Sequence, residues 1–178
     1  DLLLELHRLV TEGTLENPED AGRLRERDDV RVVDHRDQTI LHQPPPASDL
    51  PERLERLCAF ANGTEADEPF VPPVLRAILL HFMVGYDHPF VDGNGRTARA
   101  LFYWSMARQG YWLMEYLSIS HVIKRAPSQY ARTFLYCETD RNDTTYFILH
   151  QLRVIREAIE SLHDYLARKS SEQKDTEQ

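Results

Sequence analysis

Between residues 88 and 99 the chain reads His88-Pro89-Phe90-Val91-Asp92-Gly93-Asn94-Gly95-Arg96-Thr97-Ala98-Arg99. These residue types at this spacing suit the handling of phosphates. Gly93, Asn94 and Gly95 sit where a helix is about to begin. Glycines let the backbone turn tightly and bring its N–H groups close to a ligand. A helix N-terminus adds unpaired N–H groups and a partial positive charge, so the segment forms an anion site. Arg96 and Arg99 lie three residues apart and share a face of the first helical turn, where two guanidinium forks match a polyphosphate. Asp92 is the carboxylate beside this site, and a carboxylate among phosphates holds Mg²⁺. His88 is the side chain suited to accept a proton near neutral pH. Together the parts describe phosphoryl or nucleotidyl transfer. The loop and arginines hold a nucleoside triphosphate and Asp92 holds the metal. His88 deprotonates a hydroxyl that attacks phosphorus in line. The run lacks the lysine ending of a Walker A loop, and its flanks read as helices rather than the strands of a kinase glycine loop. A plain turn between helices would need neither two arginines nor a histidine.

The surrounding pattern is mostly α with one hairpin. Leu2, Leu3, Leu6, Leu9 and Val10 share one helical face, so the chain opens in a helix. Gly13, Asn17, Pro18 and Gly22 mark an irregular stretch. Val30 to Val33 and Gln38 to Leu41 are β-prone, with His35-Arg36-Asp37 as the turn between them, and Pro44-Pro45-Pro46 stops the second strand. A helix is predicted over 50–61, with Leu50, Leu54, Leu57 and Phe60 on its apolar face. The next starts at Pro72-Pro73 and ends at Gly85, and a third runs over 94–109 with Gly110 as its closing glycine. Their apolar composition makes these two the buried centre. Further helices are predicted over 118–125 and 127–139. The last runs from Asp143, as N-cap, to Ala167. Residues 168–178 are polar, with no apolar anchor, and are expected to be a disordered tail.

Composition limits the alternatives. The 178 residues carry 42% apolar and 28% charged side chains and a net charge of −8. This is an ordinary globular balance, too acidic for a general nucleic-acid binder. No apolar run approaches the roughly 20 residues of a membrane span. Cys58 and Cys137 lack paired metal-ligand spacing and read as packing residues, which with the lack of a signal peptide suggests a cytoplasmic setting. Asp1 stands where an initiator methionine would, so a piece of a longer chain is expected. His81 reads as a hydrogen-bonded core residue. The other histidines outside the loop read as surface or structural, with His42 the one to reconsider because it sits in the hairpin. Tyr103, Trp104, Tyr111, Trp112 and Tyr116 read as core packing. Glu65 to Glu68 read as a solvated loop.

HPFVDGNGRTAR resembles the signature HPFxxGNGRxxR of the Fic family, and every fixed position is matched. Leu6-His7 with Gly22-Arg23-Leu24-Arg25 resembles the family's opening helix and following turn. Thr39 to Pro45 resembles its flap hairpin, and Thr145 to Ile148 its C-terminal helix. The resemblance implies a Fic-like helical bundle over 1–167, with a flap at about 30–42 and the active-site loop at 88–99. It implies a protein adenylyltransferase that moves AMP from ATP to a Ser, Thr or Tyr hydroxyl and releases pyrophosphate, with Mg²⁺ as cofactor. His88 is then the base, Phe90 the anchor of the loop, and Asp92 the metal ligand. Gly93, Asn94 and Gly95 form the anion hole, Arg96 and Arg99 contact the triphosphate, and Tyr130 walls the nucleotide pocket. A target protein, or the chain itself, docks on the flap near Thr39 and Ile40 by strand addition.

Alternatives stay open: a nucleotide-binding module without transfer, another nucleotide donor, or removal of AMP. Gly95 stands where the family's phosphate-transferring Doc branch has lysine, which favours AMP. Asp87 stands where the family has an aliphatic residue, and its side chain is expected to face solvent. The family's inhibitory pattern (S/T)xxxE(G/N) has no complete match: Glu12-Gly13 is preceded by Arg8, and Ser48 to Glu52 is followed by Arg53. Restraint is therefore expected outside this segment, on a partner, or not at all.

Overall fold

A computed structural model describes residues 2–34, 39–63 and 70–176. The turn expected at His35 to Asp37 and the acidic run Glu65 to Glu68 lie outside the described residues. The elements run α1 (Leu2–Thr11), β1 (Val32–Val33), β2 (Ile40–His42), α2 (Leu50–Asn62), α3 (Pro73–Asp87), α4 (Asn94–Arg108), α5 (Ile119–Arg125), α6 (Pro127–Thr139) and α7 (Thr145–Thr176). The fold is mostly α, as expected, with one two-stranded antiparallel sheet. Val32 pairs with His42 and Val33 with Ile40 across a bulge.

α3 is apolar on all sides because it is buried on two. Ala77, Ile78 and Phe82 face a core shared with Phe102, Met106, Ile119, Phe134 and Phe147. Leu80 and Val84 face a second core with Leu3, Leu57, Phe90 and Leu101. α4 packs alongside α3 and serves both cores, so the loop joining them is held at each end by the best-buried helices.

Three expectations are corrected. α3 does not end at Gly85 but continues to Asp87, and His88 closes it with a left-handed φ of 43°. Glycine inside a helix costs about 1 kcal/mol against alanine. Here packing requires it, because a Cβ at Gly85 would come within 2.7 Å of Phe134 Cζ. α7 does not stop at Ala167 but runs to Thr176. Arg168 and Lys169 pair with Glu172 one turn on, and residues 163–174 are exposed, so local propensity rather than packing carries this end. Of the aromatic cluster, Tyr103 and Trp104 pack against the cores, whereas Trp112 and Tyr116 are 66% and 64% exposed. They lie on a 3₁₀ segment, Trp112–Tyr116, whose buried member is Met114. The irregular stretch after α1 contains a 3₁₀ turn, Pro18–Asp20, with Asn17 accepting from the Glu19 amide.

Removing residues 168–178 is expected to change unfolding free energy in urea by less than about 0.5 kcal/mol while lowering the helical circular dichroism signal, since no core contact is lost.

Candidate active site

The chain must leave α3, turn, and begin α4 with Phe90 buried, so every polar backbone group in the turn needs a partner. Asn94 supplies two. Its Oδ1 accepts from the Phe90 amide at 2.9 Å, and its Nδ2 donates to the Phe90 carbonyl at 2.7 Å. The Asn94 side chain therefore braces the loop from inside, which leaves its backbone N–H for the expected anion hole. Gly93 has a φ of 82°, and a Cβ there would sit 2.4 Å from Thr11 Cγ2, so glycine is required twice over. Among the described residues no side chain caps the first-turn amides of α4. They are free to meet an anion.

His7 is a positioning residue whose role composition and spacing did not reveal. It is buried, and its ring stacks on Phe90 at 3.7 Å between centroids and 7° between planes. The Gly22 amide donates to Nδ1 at 2.8 Å, so Nε2 carries the hydrogen and donates to the Asp92 carbonyl at 2.9 Å. Burial pushes its pKa below the ordinary value, which preserves this tautomer at neutral pH.

Arg25 is the second. Its buried guanidinium donates to the carbonyls of His88 at 2.8 Å, Pro45 at 2.5 Å, Asp87 at 3.3 Å and Arg27 at 3.0 Å, and to Asp28 Oδ1 at 3.1 Å. It ties the segment after α1, the flap exit and the end of α3 together. Asp87 is buried, contrary to expectation, and pairs with Arg53 Nε at 2.7 Å. Burial raises its pKa and Arg53 opposes that rise. The guanidinium explains the inward turn, since a buried carboxylate needs a charged partner.

His88 itself is half-buried. Its Nδ1 lies 2.6 Å from the Gly85 carbonyl, which can only accept, so Nδ1 carries the hydrogen and Nε2 keeps its lone pair. Burial lowers its pKa to about 4; the Gly85 bond opposes this, while His42 and Arg25 add to it. A neutral imidazole with Nε2 available is the form a general base requires.

Asp92 is exposed. Its Oδ1 accepts from the Gly93 amide at 2.6 Å, and its Oδ2 pairs with Arg96 Nη2 at 3.0 Å. Arg96 Nη1 also donates to Thr14 Oγ1. Arg99 lies over the start of α4, its Nη1 3.1 Å from where a Gly95 Cβ would be, and no acceptor for it is found among the described residues. Tyr130 donates from or accepts at its hydroxyl with His81 Nε2 at 3.0 Å and packs among Phe134, Phe147 and His150. Burial raises its pKa to about 12, so the hydroxyl stays protonated. Thr39 and Ile40 are exposed at the flap, with the Thr39 carbonyl accepting from the Asp34 amide at 2.8 Å. Around the loop, Asp92 pairs with Arg96 and acts on His88 electrostatically, and Arg99 lies beside Gly95, while Tyr130 packs on His81 of α3 and the flap residue His42 stands beside His88.

A helical bundle with this loop between its two central helices defines a class. The Fic/DOC family profile matches residues 1–106. The chain belongs to the Fic family. Curated relatives named protein adenylyltransferase Fic include one from Nematostella vectensis, 36% identical over 112 residues, and one from Drosophila mojavensis, 36% identical over 109. These matches cover 62% and 61% of this chain but only 23% and 19% of the relatives. A crystal structure of a Fic family protein from Desulfovibrio desulfuricans G20 superposes with a TM-score of 0.71 at 26% identity, covering 92% of this chain and 46% of that one. Fic-1 (aa134 - 508) from C. elegans shares the fold, with a TM-score of 0.60 at 24% identity over 93% of this chain and 44% of that one. Among the described residues no helix is long and apolar enough to cross a membrane.

The depressed His88 pKa has a measurable consequence. Between pH 6.5 and about 4 the unfolded chain binds a proton at His88 that the folded chain does not. Stability therefore falls as pH drops through that window. Urea midpoints are expected to decline less steeply with acid in His88→Gln than in wild type; parallel slopes would contradict this. Replacing Asn94 by alanine removes both bonds to Phe90 and is expected to cost about 1–3 kcal/mol in the same assay.

Proposed function

We propose that this chain is a Mg²⁺-dependent protein adenylyltransferase, taking AMP from ATP and placing it on a Ser, Thr or Tyr hydroxyl of a target protein. One observation carries the reading: the Gly85 carbonyl fixes the His88 tautomer, leaving Nε2 as an acceptor in the loop that leads into α4. The names of the curated relatives support the same activity.

The residues fit the groups such a reaction needs. The first-turn amides of α4, with Arg96 and Arg99, would hold the triphosphate. Asp92, an exposed carboxylate at the loop, would hold Mg²⁺, which when bound supplies charge neutralisation for the phosphates. Arg96 and Asp92 now pair with each other. Their mutual attraction is an exposed ion pair worth about 0–1 kcal/mol, so exchanging it for phosphate and cation costs little. Gly95, without a side chain, lets Arg99 lie close over the helix start.

His88 Nε2 takes the proton from the target hydroxyl as its oxygen bonds to the α-phosphorus. The bond from that phosphorus to the bridging oxygen breaks, and pyrophosphate leaves. Burial and the neighbouring Arg25 then drive the proton from His88 to solvent water, returning the base to its neutral form. The flap, with exposed Ile40 and an outer strand edge, would present the target segment by strand addition.

The Asp92–Arg96 pair favours a second reading, in which the resting loop binds nucleotide without transfer. Calorimetric titration with ATP beside a transfer assay separates the two.

Incubated with labelled ATP, Mg²⁺ and a cell lysate, wild type is expected to leave covalent AMP on protein, read by intact-mass spectrometry. His88→Ala is expected to lose at least about 100-fold of that rate. Equal labelling by both would sink the proposal. Because His88 titrates at about 4, the rate of the wild type is expected to show no loss from His88 protonation between pH 7 and pH 5.

A further inference from the structure

The flap cannot hold itself in place. β1 has two residues and β2 three, joined through a bulge, and a ladder this short is marginal by itself. Yet Leu41 and His42 are almost completely buried. His42 explains how. Its Nε2 lies 2.5 Å from the Tyr86 carbonyl at the end of α3, and its Nδ1 meets the Glu138 carboxylate on α6. A carbonyl only accepts, so Nε2 donates to it. The carboxylate faces the other nitrogen, so a proton lies between Nδ1 and Glu138. The ring packs against Tyr86 at 4.7 Å, Phe134 at 5.7 Å and His88 at 6.3 Å between centroids.

Among the described residues, the loop residues from Asp92 to Arg99 make no hydrogen bond to this pair. Burying an imidazole with both nitrogens satisfied by two different helices fixes the position of its strand. It also fixes the register, because a slip of one residue would turn His42 outward and abandon both bonds. Tyr86 stands two residues before the base, so the same bond that anchors the flap holds the backbone leading into His88.

We propose that His42 and Glu138 form a clamp that positions the flap strand against the base-bearing end of α3, setting the distance between a flap-bound target and His88. Both are positioning residues. What the flap presents to His88 rests on the adenylyl-transfer reading; the clamp itself does not.

Several charged or titratable groups face His42: Glu138 on α6, Tyr86 and Asp87 on α3, and His88 just after it; Cys137, Arg53 and Arg25 act on Tyr86 or Asp87 beside it. The measurement must therefore be resolved by residue. His42→Leu and Glu138→Ala are compared with wild type and with Glu157→Ala, whose carboxylate pairs with the exposed Arg125 away from the flap. Amide hydrogen exchange is followed by NMR in the full chain, with histidine side chains labelled for titration. In both clamp variants the Leu41 amide is expected to exchange about tenfold faster or more, while amides within α4 keep their wild-type rates. In His42→Leu the His88 titration midpoint is expected to move up, because a neighbour that disfavours its charged form is gone. Flap exchange unchanged in both variants overturns the clamp. So does exchange that rises equally in α4, which would mark general destabilisation. Faster flap exchange with an unmoved His88 midpoint overturns the link to the base. None of these readouts needs transfer activity, so a wild type that never labels protein with ATP defeats the adenylyl-transfer reading alone.

Discussion

Arg25 carries a permanent positive charge into a place that water hardly reaches, and the site is arranged around satisfying it. A guanidinium has five N–H donors in a fixed plane. Four backbone carbonyls and the Asp28 carboxylate accept from it. Those acceptors come from three separate parts of the chain: the turn it stands in, the proline exit of the flap, and the junction of α3 with the loop. Leaving any of them unpaired would cost the desolvation of a charged donor, so the three segments must meet where they do. The same charge lies close enough to His88 to disfavour its protonated form.

The site separates what must be rigid from what must move. Groups that shape the loop are buried and bonded on both sides: the Asn94 amide to Phe90, and His7 to Gly22 and Asp92. Groups that would meet phosphate or metal, Asp92 and Arg96, stand at the surface and satisfy each other through a weak, exposed pair. Backbone geometry that a reaction needs unchanged is thus held by strong local bonds, and the charges that must exchange partners are held by interactions that cost little to break.

Much of this was legible in residues 88 to 99. The loop, its candidate base, the glycine turn and the two central helices follow from residue type and short-range spacing, because helix starts, tight turns and arginine pairs are local matters. His7, Arg25, Arg53 and Glu138 were not legible as site residues. Each acts across a long stretch of chain, and a lone histidine or arginine in sequence looks the same whether it faces water or a carbonyl. Asp87 shows the point most sharply. Its sequence neighbours suggest a solvated carboxylate, and only the arrival of Arg53 from α2 makes burial affordable.

The sequence by itself determined that the chain is helical, where its apolar faces lie, and which residues between α3 and α4 are candidates for the proposed chemistry. These depend on periodicity and on contacts within a few residues. Only the tertiary structure decided how the base is tuned and aimed. The tautomer of His88 comes from a carbonyl one helical turn away, made available by the left-handed turn that closes α3. Its depressed pKa comes from burial and from charges that the flap and the α1–β1 segment bring alongside. Desolvation and charge proximity are properties of the packed molecule, and no spacing along the chain encodes them directly.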